Sequence, residues 1–159
     1  MNEKQERFWI KFKEDNPNFR NVTFGSAWSF GDSKEMANEL AEFVLQGKKT
    51  ATASAFVQYE KNNESLPEAN KAVFDILLNG EEEPVAILET TKVYVTIFNE
   101  ISDEHAYKEG EGTRSLDHWK KVHFEFWTNI FDLKNIKNVD IEKMKVVCEE
   151  FKVIWKESL

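Results

Sequence analysis

Within six residues, Gly47-Lys48-Lys49-Thr50-Ala51-Thr52 brings together two ammonium groups and two hydroxyls. Such a set suits anion or carbonyl binding, or a lysine-assisted hydroxyl nucleophile. The spacing is not that of a Walker loop, which excludes phosphate cradling by that motif. A plainer account also covers it: lysines following a helix offset the negative end of its dipole, and the hydroxyls fill a strand. A second group is Glu109-Gly110-Glu111-Gly112. Glycines let backbone approach a ligand closely, and neighbouring carboxylates shift each other's pKa values. Its plainer account is a solvated acidic loop ahead of a helix N-terminus. The three histidines, His105, His118 and His123, lack metal spacing: His118 and His123 stand five apart, not four, and no cysteine cluster joins them. No metal or other cofactor is expected, and His123 is expected to pack on a Trp119–Trp127 face.

These groups need elements to hold them. A helix over about Ser33–Gln46 is expected, capped by Asp32 with Glu35 completing a capping box. Met36, Leu40, Phe43 and Val44 give it one apolar stripe, and Gly47 stands where a left-handed terminator is wanted. From Thr50 to Val57 hydroxyl and apolar residues alternate with a period of two, which reads as a strand. Further strands are expected at Ala72–Leu78, Val85–Leu88 and Lys92–Phe98, with Asn79-Gly80 turning a hairpin. A last strand, Lys143–Trp155, changes apolar parity and so calls for a bulge near Glu149–Glu150. Residues 3–14 read as a short helix showing Phe8, Trp9 and Phe12 on one face, and Asn16–Gly31 as irregular chain anchored by Trp28 and Phe30. Ser102–Lys108 and a helix from Ser115 to about Ile130 form a helical insertion, the longer one burying Leu116, Trp119, Val122, Phe126 and Ile130. The pattern predicts an α+β fold, because helix–strand alternation is too incomplete for a parallel sheet.

The 159 residues suit one domain with a substantial core, and 13 Phe and 5 Trp supply it. No stretch is long and apolar enough to cross a membrane, and the charged start is unlike a signal peptide. Lone Cys148 cannot form an internal disulfide and reads as a buried thiol in a reducing cytoplasm. The net charge of −8 opposes binding of a long duplex, which depends on neutralising phosphates. A small ligand or a short piece of nucleic acid fits that charge better.

Four segments taken together resemble bacterial ASCH-domain proteins, a family of the PUA-like superfamily. They are Gly47–Ser54, Pro84–Thr91, Glu109–Gly112, and Arg114–Trp119 with the helix that follows. The resemblance spans nearly the whole chain and is to the larger subgroup, so 1–159 is expected to be a single ASCH domain with an N-terminal helical extension. It implies a PUA-like mixed β-barrel with flanking helices and a cleft, a fold associated with RNA or modified-nucleoside recognition. A smaller relative in the superfamily deacetylates N(4)-acetylcytidine with a lysine, a threonine and a glutamate. Its Gly-x-Lys-Thr-x-Thr motif matches Gly47–Thr52, which carries the lysine to Lys49 and the nucleophile to Thr52. Aligning its His-Ala pair with His105-Ala106 carries the glutamate to Glu109. Other family members are credited with ribonuclease activity.

Two readings follow. In the first, the protein is an amidohydrolase: Thr52 attacks the acyl carbonyl of a pyrimidine nucleoside, Lys49 serves as base or as oxyanion-stabilising ammonium, and Glu109 relays the proton. In the second, it is a non-catalytic module for a small nucleoside or short single-stranded RNA. There Lys49 and Arg114 hold a phosphate or carbonyl, and Trp28 or Trp119 stacks on a base. Lys48, Thr50, Glu111, Arg114 and Trp28 are expected to line the ligand site in either reading.

Overall fold

A computed structural model describes residues 1–157 of the protein. In chain order its elements are α1 (Glu3–Asp15), β1 (Thr23–Trp28), α2 (Lys34–Leu45), β2 (Ala51–Ala55), α3 (Phe56–Asn62), β3 (Val73–Leu78), β4 (Pro84–Ile97), α4 (Asp103–Glu109), α5 (Leu116–Leu133) and β5 (Lys145–Trp155). The strands form a ladder in the order β1-β3-β4-β5-β2, parallel between β1 and β3 and antiparallel between β3 and β4 and between β2 and β5. The fold is therefore α+β with a mixed sheet. The ladder ends at β1 and β2, so the sheet is not closed and the expected barrel is not seen. At one end, β1 carries a register shift between Phe24 and Ala27, the kind of irregularity that interrupts pairing at a sheet edge.

The chain divides into two compact units. The first contains Met1–Lys48, Glu68–Thr91 and the segment from Phe151 onward; the second contains Lys49–Pro67 and Lys92–Glu150. In the first unit, α1 buries Phe8, Trp9 and Phe12, the face its sequence advertises. These pack with Phe74, Ile76, Leu78 and Ile87, while α2 contributes Leu40, Ala41 and Val44 to a neighbouring cluster. The cap of α2 is Ser33, whose hydroxyl accepts from the Met36 amide at 3.1 Å, and not Asp32. Glu35 thus falls at the second helical position, still favourable to the dipole but outside a capping box. Gly47 has φ 78°, and the amides of Gly47 and Lys48 donate to Val44 and Phe43. This paired return ends the helix sharply.

In the second unit, β2 stops at Ala55 and the chain turns into α3, where the sequence pattern had suggested strand through Val57. The Ser54 hydroxyl meets the Tyr59 hydroxyl at 2.9 Å and ties that helix's first turn back to the strand. The β2–β5 register runs unbroken from Ala51↔Glu150 to Ala55↔Val146, so the bulge expected near Glu149–Glu150 is absent from this pairing. Val85–Leu88 and Lys92–Phe98, read as two strands, are one strand, β4, which ends at Ile97, with Phe98 opening the short 3-10 turn that follows. The unit's core joins Ala55, Phe98, Ala106, Trp119, Trp127, Phe131, Val146 and Cys148. In α5 the buried side chains are Trp119, Trp127 and Phe131, with Leu116, Phe126 and Ile130 at the margin. Among the described residues no helix is long and apolar enough to cross a membrane.

Candidate functional site

The second unit holds a buried ionic cluster. Its first member arrives where the chain leaves the α2 terminator: the Thr50 amide donates to the Lys108 carbonyl at 2.8 Å, which anchors Lys49 beside the end of α4. Ser102 caps α4 by accepting from the His105 amide, and one face of this helix buries His105, Ala106 and Glu109. Gly110, at φ 75°, ends the helix and sends Glu111 back toward Lys49. Gly112 has φ 55°, a conformation that favours glycine, and a Cβ there would press on the His118 ring.

The Lys49 side chain is 1% exposed. Its ammonium donates to the Ala51 carbonyl at 2.9 Å, the Glu109 carbonyl at 3.3 Å and Glu111 Oε2 at 3.1 Å. All three are oxygen acceptors, the kind an ammonium, which only donates, requires. Glu109 Oε1 lies 3.7 Å away as an additional counter-charge.

Glu109 organises the rest. Its Oε2 accepts from His105 Nε2 at 2.6 Å and from the Trp119 indole at 2.5 Å, and its Oε1 lies 3.4 Å from His123 Nε2. His123 stacks on Trp119 with centroids 4.0 Å apart and planes 16° apart, and its Nδ1 donates to the Trp119 carbonyl. Burial alone would raise the Glu109 pKa, but His123, Lys49 and the His105 hydrogen bond together hold it well below the usual carboxylate range. For His123, burial works against the charged ring, yet the Glu109 carboxylate outweighs it and raises the pKa. Nδ1 of His105 is buried without a hydrogen-bond partner. Glu111 is the most exposed member, its side chain 25% exposed against 13% for His123.

Lys49, Glu109 and Glu111 therefore meet. The other residues singled out in the sequence are placed as follows. Thr50 Oγ1 lies 3.5 Å from the Lys108 carbonyl. Thr52 sits opposite Glu149 on β2, and strand alternation turns it with Ser54 away from the face on which Ala53 and Ala55 pack with the Trp119 cluster. Arg114, at φ 62°, lays its guanidinium 3.6 Å from the Tyr107 ring centre and donates from Nε to the Tyr107 carbonyl. Lys48 and Trp28 belong to the first unit. There the Lys48 ammonium lies over the Phe43 ring and the Trp28 indole donates to Asp75 at 2.9 Å. Trp119 is only 3% exposed, so it is an interior donor and not a platform for a base. His105 and His123 were missed as members of the cluster. The signal was present: His105–Glu109 and Trp119–His123 are both i,i+4 pairs on helices with serine caps. Among the described residues no group of three or more His, Cys, Asp or Glu is arranged to hold a metal ion.

An open mixed sheet with inserted helices and a buried lysine–glutamate cluster defines an α+β protein whose polar centre lies in the second unit. A family model, the ASCH domain, matches residues 26–155, and the chain belongs to that family. Among solved structures, an ASCH domain from Lactobacillus crispatus JV V101 superposes with a TM-score of 0.86 at 28% identity, covering 96% of this chain and 95% of that one. Protein EF3133 from Enterococcus faecalis V583 gives 0.82 at 34% identity, covering 94% and 86%. No curated protein matches.

Proposed function

We propose that this ASCH protein binds a small carbonyl-bearing nucleobase, of the acylated pyrimidine class, as a free nucleoside or within short single-stranded RNA. The carrying observation is the Lys49 ammonium, buried and backed by Glu109, with the more exposed Glu111 at its side. A fixed cation in low dielectric is a strong hydrogen-bond donor to a carbonyl or oxyanion. The oxygen acceptors around it suit the donor role. Glu109, held ionised by its donors, suits an orienting role better than proton relay. The net charge of −8 supports a small or single-stranded ligand over long duplex.

A second, hydrolytic reading rests on the Gly47–Thr52 motif, in which Thr52 attacks the acyl carbonyl while Lys49 stabilises the oxyanion. The alternation that turns Thr52 with Ser54 away from the Ala53 face weighs against it. Calorimetric titration and a deacetylation assay with N(4)-acetylcytidine separate the two. Binding without turnover, lost in Lys49→Ala and kept in Thr52→Ala, is the expected result. Turnover that disappears in Thr52→Ala establishes the hydrolytic reading instead, and absence of both binding and turnover removes the nucleoside ligand.

A further inference from the structure

Two carboxylates face one ammonium, and they are built differently. Glu109 lies inside: both its oxygens are engaged, by His105, Trp119 and His123, on two helices packed into the aromatic core. Glu111 lies outside, on a three-residue arc between Gly110 at φ 75° and Gly112 at φ 55°. Its carbonyl accepts from the Arg114 amide at 2.9 Å, closing a tight turn, and its carboxylate reaches Lys49 at 3.1 Å with a quarter of the side chain in solvent. Moving Glu109 would uncover buried donors on three side chains. Moving Glu111 would require rotation of a quarter-exposed side chain and would remove one acceptor from Lys49.

We infer that Glu109 is a positioning residue for Lys49, whereas Glu111 is an internal stand-in for the ligand, its carboxylate holding the place on the ammonium that a ligand oxygen takes over. The inference rests on the ligand-binding reading above and sharpens it. The ligand is one that presents a planar oxygen acceptor, a carbonyl or a carboxylate, because that is the chemistry Glu111 supplies to the site. Apparent affinity then carries the cost of displacing Glu111, since only the fraction of molecules with that arm released is competent to bind.

The test compares wild type, Glu111→Ala, Glu111→Gln and Glu109→Gln. Thermal unfolding is followed in sodium acetate against sodium chloride of equal ionic strength, and N(4)-acetylcytidine is titrated calorimetrically. Glu111→Ala is expected to gain a saturable, acetate-specific stabilisation that wild type lacks, because acetate fills the vacated place. It is also expected to bind the nucleoside roughly fivefold more tightly, the size of one partly exposed ion pair no longer competing. Glu111→Gln keeps an oxygen acceptor and is expected to stay near wild type in its acetate response. Glu109→Gln is expected to show no acetate gain and weaker nucleoside binding. Equal acetate responses in wild type and Glu111→Ala overturn the inference. So does failure of both Glu111→Ala and Glu111→Gln to fold, since a displaceable arm cannot be required for folding. If wild type binds no nucleoside, the function proposed above falls, and the acetate comparison still decides the role of Glu111.

Discussion

The two units solve the problem of an interior in opposite ways. The first is filled with rings and aliphatic chains: Phe12, Phe74, Ile76 and Ile87 are almost fully enclosed, and its ion pairs, such as Lys4–Glu83 and Arg7–Glu3, lie at the surface. The second also has an aromatic core, yet it encloses Lys49, His105 and Glu109 at about the same depth. Apolar packing tolerates modest rearrangement, whereas a buried charge must keep every partner or become costly. An interior so demanding is poorly suited to providing stability alone. Among the described residues the buried charged groups lie in the second unit, which is where the proposed function is centred.

The comparison can be broken most directly at Glu109. Glu109→Ala leaves the Lys49 ammonium buried beside fewer counter-charges, and a loss of about 3–5 kcal/mol at pH 7 is expected in denaturant unfolding. The folded pKa of Glu109 is depressed, so its contribution is present above the unfolded carboxylate value of about 4.3 and is lost as pH falls below it toward the folded value. The cost of the substitution should therefore shrink in acid. A cost that is the same at pH 3.5 and pH 7 would remove the electrostatic account.

Phe12→Ala in the first unit is expected to cost a comparable but slightly smaller amount, about 3–4 kcal/mol, through lost burial and a cavity. Nothing in that mechanism titrates, so the same pair of pH values should give the same loss. A strong pH dependence there would erase the contrast between the units.

His123 sharpens the picture from the alkaline side. Its folded pKa is raised, so its contribution is fully present below about 6.5 and is lost as pH rises through the folded value. Glu109 and Glu111 favour its charge, with Lys49 and His105 in the same cluster. Denaturant midpoints between pH 6 and pH 9 should decline in wild type and decline less in His123→Gln. Parallel curves for the two proteins would show that His123 does not carry the charge.

Smaller effects belong to local structure. Ser115 caps α5, the helix that brings Trp119 and His123 to Glu109, and Ser115→Ala should cost about 1 kcal/mol. At the far end of the scale, Arg7→Ala removes an exposed α1 ion pair and should change unfolding free energy by no more than about 0.5 kcal/mol. A larger loss would mean that Arg7 packs through its stem.

Helix positions were readable wherever periodicity and a terminator agreed. The faces of α1 and the sharp end of α2 at Gly47 are examples, because amphipathic spacing and a left-handed glycine act locally. Strand β1 was hidden: Gly25 and a register shift interrupt its alternation, and as a ladder end it needs no two-sided apolar pattern. Helix α3 was hidden for another reason. Val57 continues the apolar parity of Ala51, Ala53 and Ala55, which reads as strand, whereas the chain turns into a helix at Phe56 that the Tyr59–Ser54 contact ties back to β2.

In the site, a terminated helix and a Gly-Glu-Gly loop drew attention to Lys49 and Glu111 at short range, whereas the resemblance to ASCH proteins supplied Glu109 and the role given to Lys49. What the sequence by itself determined is that such chemical groups exist and on which kinds of element they stand. That His105, Trp119 and His123 converge on Glu109 was decided only by tertiary structure. The physical reason is that a helix face or strand parity records which residues point together. It does not record which buried charge they point at, because that depends on how α4, α5 and β2 pack around a shared core.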